Sequence, residues 1–152
     1  MWRFIIIIAL LLTMTGCNAP IDAHDVAGTW VMKEESRKWL PPEIEKSMGK
    51  ITMLADGTFA VYELPQNGYF DSGEYVDKWR TLSGSGKWKL LLNSGLQLYL
   101  WFNKISVENA DDQDVSEGFQ FGILERRSTI YIYYYYDPTT GPERIEFEKI
   151  TQ

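Results

Sequence analysis

From residue 28 onward the chain breaks into eight short stretches in which apolar and polar residues alternate, most of them separated by turn-forming residues. Successive side chains on a strand point to opposite faces, so a period of two specifies half-buried strands. The stretches run over 28–33, 50–54, 58–64, 87–92, 96–102, 118–124, 128–136 and 144–150. In 87–92, Trp88, Leu90 and Leu92 oppose Lys87 and Lys89. In the stretches that follow, Leu96, Leu98, Leu100 and Phe102 share a face, as do Phe119, Phe121 and Ile123, and Ile145 and Phe147 oppose Glu146 and Glu148. Asp56-Gly57, Asn93-Ser94-Gly95 and Asp137-Pro138 through Gly141 carry turn chemistry. The charged stretch 34–48, with Pro41 and Pro42, reads as a loop holding a helical turn after Pro42. Pro65 reads as the stop of the third strand, with 66–85 a long connection rich in Gly, Asp and aromatic residues. No amphipathic segment of helix length is left to carry a parallel crossover. The pattern predicts an all-β, eight-stranded antiparallel up-and-down barrel, with a β-sandwich as the alternative. Closure of the sheet removes exposed edges, and a barrel of this size is either filled by side chains or holds one small ligand.

Ahead of these stretches stand Arg3, an apolar run over 4–12 and Met14-Thr15-Gly16-Cys17. A basic residue, a short apolar core and small residues before a cut describe a secretory signal. As a helix the run is about 13 Å long, too short for a bilayer core about 30 Å thick. Met14-Thr15-Gly16-Cys17 resembles the lipobox of bacterial lipoproteins, with Met14 where that class usually has Leu. The resemblance implies a signal peptide over 1–16, cleavage before Cys17, and acyl chains such as palmitate on the Cys17 thiol and the new amino group. It further implies a tether over 17–27 ahead of a domain over 28–152. Asn18 in place of Asp implies an outer-membrane lipoprotein facing the periplasm. Membrane contact would then come through the acyl chains on Cys17, and several chains hold where one binds only marginally.

Cys17 is the only cysteine, so no disulfide forms within the chain. Stability has to come from a packed core, for which an aromatic content of 14% supplies the material. A net charge of −6 argues against nucleic acid, whose binding depends on cations meeting phosphate.

Gly28-Thr29-Trp30 resembles the G-x-W signature of lipocalins and related calycins, and 54–59 and 86–90 resemble repeated elements of bacterial lipocalin-like lipoproteins. The resemblance implies that Gly28 lets the first strand begin in a bend. It implies that Trp30 plugs the closed end of the barrel and packs against a basic side chain, with Arg126, Arg127 and Arg144 as candidates. The chain lacks a T-D-Y motif on its middle strands and stops without the helix that typically follows the eighth strand, which sets it apart from lipocalin transporters.

Catalytic chemistry is sparse. His24, the single histidine, lies in the tether without histidine or cysteine partners, which argues against a transition-metal site or a Ser-His-Asp arrangement. No phosphate loop or dinucleotide fingerprint is present. Gly84-Ser85-Gly86 reads as a turn. Asp111, Asp112, Asp114 and Glu117 lack EF-hand spacing and read as a solvated loop. The chain therefore reads as a non-enzyme without cofactor or metal. Aromatic residues occupy both faces of the seventh strand, Tyr131, Tyr133 and Tyr135 on one and Ile130, Ile132, Tyr134 and Tyr136 on the other. The connection 66–85, a partner protein or water is expected to cover the outward rings.

Two functions follow as expectations. The first is a lipid-anchored binding protein holding a small apolar or amphipathic ligand among Leu90, Leu98, Phe119, Phe121, Ile132 and Phe147. The second is an immunity or enzyme-inhibitor lipoprotein that meets a protein partner through Tyr69, Phe70, Asp71, Glu74 and Tyr75, where aromatic and acidic residues cluster.

Overall fold

The computed structural model describes residues 20–71, 74–92, 95–107, 117–135 and 143–150, without the side chains of 69–71, 74–77 and 117. Residues 1–16, expected as a signal peptide, Cys17 and the Asp111, Asp112 and Asp114 cluster lie outside the described residues. Eight strands close into a barrel in chain order: β1 (Gly28–Met32), β2 (Lys50–Met53), β3 (Thr58–Asp71), β4 (Glu74–Leu92), β5 (Leu96–Val107), β6 (Glu117–Arg126), β7 (Thr129–Tyr135) and β8 (Arg144–Lys149). Every pairing is antiparallel, and β8 closes the ring on β1 through Trp30 opposite Lys149 and Met32 opposite Phe147. The barrel predicted from alternation is thus the observed architecture, and the sandwich is not.

The structure settles which face of each strand turns inward, a choice that alternation alone leaves open. Trp30, Ile51, Met53, Phe59, Leu98, Leu100, Phe102, Phe121, Ile132, Ile145 and Phe147 are buried together in one core. Leu92, expected beside Trp88 and Leu90, is instead 80% exposed because β4 ends there, past the rim of the sheet.

The end of the barrel beside the β2–β3 turn is closed by the segment that leads into β1. A short helix, α1 (Ala23–Val26), is capped by Asp22, whose carboxylate accepts from the His24 and Asp25 amides. Val26 is fully buried and its carbonyl accepts the Trp30 indole N–H at 2.8 Å. Val26 and, in part, Ile21 and Ala27 pack on the core, so this end of 17–27 lies against the barrel with His24 exposed. The opposite end is covered by 33–49, where α2 (Glu34–Arg37) forms ahead of the prolines and a turn over 42–46 follows. Leu40 and Ile44 from this segment join the core, and Arg37 ties it down by donating to the carbonyls of Glu45 and Ser47, both at 2.7 Å. One helical turn thus precedes the prolines, and the expected one follows them, where the Glu45 amide donates to the Pro41 carbonyl at 3.0 Å.

The largest departure from expectation is 66–85, which is not a connection. β3 continues through Pro65 to Asp71, and β4 returns from Glu74. Beyond Tyr62, the described ladders give β3 no partner except β4, so Pro65 sits on an edge where its missing N–H costs little. A bulge between Val61 and Leu64 makes the change of direction, with Glu63 at a φ of 49°. The Glu63 amide donates to Ser83 Oγ at 3.0 Å, and its carboxylate accepts the Met48 amide at 2.7 Å. Gly84-Ser85-Gly86 likewise lies within β4. A Cβ on Gly86 would fall 1.9 Å from the Trp101 carbonyl oxygen, so glycine here reflects the close approach of β5 at a second bulge and not a turn.

Candidate functional site

All six residues expected to line a ligand cavity belong to the inward set. Leu98, Phe121, Ile132 and Phe147 are fully buried, and Leu90 and Phe119 pack on the same core while half-buried. They meet one another directly. Phe121 stands edge-on to Phe147 at 6.0 Å and to Tyr134 at 5.5 Å, and Phe119 lies 5.9 Å from Phe121. The Tyr134 hydroxyl donates across the barrel to the Pro65 carbonyl. Burial pushes this phenol far above its ordinary pKa, which keeps it a neutral donor.

At the closed end the basic side chain on Trp30 is Lys149, and none of Arg126, Arg127 or Arg144. Its ammonium lies 5.9 Å from the indole centre and donates to the Asp25 carbonyl at 2.8 Å. Gly28 is required there, since a Cβ would come within 2.5 Å of Lys149 Cε and the backbone φ is +141°. Lys149 was hard to foresee because it is the last residue of the last strand; its place beside Trp30 follows once β8 is registered against β1.

Arg126 and Arg144 serve a different centre, on the outer face. Glu146, from the middle of β8, holds three cations. Arg144 Nε lies at 2.7 Å, Arg126 Nη2 at 3.1 Å and Lys33 Nζ at 3.6 Å. Only 12% of the Glu146 side chain is exposed, and its amide donates to Ser36 Oγ at 2.9 Å. Burial raises its pKa, but the hydrogen bond and charge of Arg144 and the charges of Arg126 and Lys33 outweigh this and hold the carboxyl below its ordinary value. Two tyrosine rings complete the arrangement. Lys33 and Arg126 face Tyr131 at 5.1 and 5.8 Å, and Arg144 lies over Tyr133 at 4.6 Å. An open groove of about 410 Å³ borders this centre, lined by Lys33, Lys38, Trp39, Arg126, Arg144 and Glu146 among others. Sequence reasoning missed the centre because its members come from α2's flank, β6 and β8, and Glu146 reads as an ordinary outward residue.

Two of the outward rings of β7, Tyr131 and Tyr133, lie against cations of the barrel itself. Tyr133 lies across Gly122 on the adjacent strand, where a Cβ would meet the ring at 2.4 Å. On β5, Tyr99 and Trp101 stack at 5.5 Å, and the Tyr99 hydroxyl bonds Gln120 at 2.6 Å, with Trp101 remaining 40% exposed.

The residues expected to meet a partner share the end of one two-stranded ribbon. Tyr69 pairs with Val76, Phe70 with Tyr75 and Asp71 with Glu74. The last described β4–β5 pair is Leu82 with Val107, so residues 65–71 and 74–81 pair only with each other among the described ladders. Arg80 donates to Gln66 at 2.6 Å at the base of this ribbon.

Among the described residues no group of His, Cys, Asp and Glu could hold a metal ion, and no helix is long and apolar enough to cross a membrane. Compared with protein-family models, with curated proteins and with solved structures, the chain matches none. The class that fold and geometry define is a closed, eight-stranded antiparallel barrel extended by a β-ribbon.

Proposed function

We propose that this protein is a non-catalytic, lipid-anchored lipoprotein of the bacterial envelope that acts by binding another protein through the β3–β4 ribbon, in the manner of an immunity or enzyme-inhibitor protein. The observation that carries this reading is the ribbon itself. An isolated pair of strands is marginal in water, and open strand edges invite pairing with other chains. A ribbon that outruns its barrel and gathers Tyr69, Phe70, Asp71, Glu74 and Tyr75 in its last described pairs suits a contact surface. The overall charge of −6 speeds encounter with a basic partner. The anchor rests on the leader and Cys17, with the outer membrane favoured by Asn18.

A photo-crosslinking residue in place of Phe70 or Tyr75 in cells is expected to capture one discrete envelope protein, while the same residue at Leu92, at the other end of the barrel, captures none. Equal labelling from both ends, or none from the ribbon, contradicts the reading. Cys17→Ser is expected to release the protein from membranes, and continued attachment contradicts the anchor.

The inward convergence of Leu90, Leu98, Phe119, Phe121, Ile132 and Phe147 supports a second reading, carriage of a small apolar ligand. It requires those rings to part from one another, so it stands behind the first.

A further inference from the structure

We propose that the groove beside Glu146 binds the carboxylate or phosphate group of a small soluble molecule, with Arg144, Arg126 and Lys38 as its cations and Trp39 as the wall for whatever carries the anion. The argument begins with charge. The chain as a whole is acidic, at −6, yet the groove is lined by four cations, Lys33, Lys38, Arg126 and Arg144, against the three carboxylates Glu35, Glu143 and Glu146. One of those carboxylates, Glu35, is 76% exposed and lies 3.9 Å from Lys33, at the far limit of an ion pair. Water screens so exposed a charge heavily. Glu146, by contrast, is sheltered and fixes the cations in place.

Four cations against three carboxylates leave the groove with one positive charge in excess. Arg144 meets Glu146 through Nε, and among the described bonds none uses its Nη groups. Guanidinium presents a planar fork of donors that matches carboxylate and phosphate oxygens. Arg126 spans both Glu146 oxygens at 3.1 and 3.3 Å while its side chain remains 47% exposed. The tyrosine rings under Arg144, Arg126 and Lys33 restrict these long side chains before any ligand arrives, which lowers the ordering cost of binding. Trp39 is half-buried with the Lys38 ammonium 4.5 Å from its ring centre, so an apolar surface and a cation lie side by side. The volume, about 410 Å³, suits a small metabolite.

The role of Glu146 gives the test its sign. It is both the clamp that holds the cations and the incoming anion's competitor. The full-length protein in neutral detergent is titrated with inorganic phosphate, and separately with acetate, at constant ionic strength, following the arginine Nε–H signals by NMR. Saturable shifts of Arg126 and Arg144 are expected, and Arg126→Gln is expected to weaken phosphate binding at least tenfold. Lys87→Gln, a lysine on a different part of the barrel, leaves it unchanged. Glu146→Gln removes the competitor and is expected to tighten binding severalfold. The paired variant Arg144→Gln/Glu146→Gln, which removes one cation together with the carboxylate, is expected to fold and to bind phosphate weakly. Shifts that grow linearly without saturation, equal shifts with chloride, or unchanged affinity in the folded paired variant overturn the proposal.

Discussion

The two faces of β7 use the same kind of side chain in opposite ways. Inward, Ile132 and Tyr134 are buried against Phe147 and Phe121, and Tyr134 satisfies its hydroxyl on Pro65. Outward, Tyr131 and Tyr133 lie beneath Lys33, Arg126 and Arg144, and Tyr133 covers Gly122. The inner rings are held by exclusion of water, and the outer ones by cations that a single carboxylate organises. The inner face should therefore respond to lost volume, and the outer face to charge and pH.

The strongest way to break this contrast is to remove one ring from each side. Phe121→Ala, at a fully buried position, is expected to cost about 3–5 kcal/mol through lost burial and the cavity left behind. Trp101→Ala, a larger truncation on the outer face at 40% exposure, is expected to cost less than about 1 kcal/mol. Denaturant unfolding measures both, and similar losses would erase the distinction.

Charge tests the outer face next. Because the folded-state pKa of Glu146 is depressed, its contribution to stability is complete above the unfolded value near 4.5 and fades as pH falls through the lower folded value. Glu146→Gln is expected to cost about 2 kcal/mol at neutral pH, in the range of hydrogen bonds to charged groups. Its deficit against wild type should shrink as the solution is acidified below the carboxylate range. A deficit independent of pH would mean that shape, not charge, holds the centre.

The smallest effect sharpens the inner side. Tyr134→Phe keeps the ring and removes its donor, leaving the Pro65 carbonyl short of one bond, at a cost of about 1 kcal/mol. Thermal unfolding read against Phe121→Ala should rank the two clearly, with hydroxyl loss the milder.

Alternation along each strand made the barrel legible but not which face turns inward, because a one-residue register change exchanges the two faces. It failed in 66–85, where Pro65, Gly68 and the small residues over 83–86 interrupt the pattern. The structure explains each interruption locally, Pro65 by an edge and Gly86 by a neighbouring backbone 1.9 Å from its would-be Cβ. The Glu146 centre was hidden for another reason. Lys33 and Arg126 are far from residue 146 in sequence, and only closure of β8 onto β1 and β7 gathers them. Lys149 was overlooked as the partner of Trp30 in the same way, since three arginines seemed sufficient in number and closure alone decides which cation is near.

The central claim is that this barrel is filled by its own side chains and acts from its exterior. Native mass spectrometry of the full-length protein released from mild detergent tests it most directly. The account predicts the polypeptide with covalently attached acyl chains and no retained apolar molecule. A stoichiometric apolar ligand that is retained in the gas phase and lost on Phe121→Trp, which would crowd the interior, would contradict it.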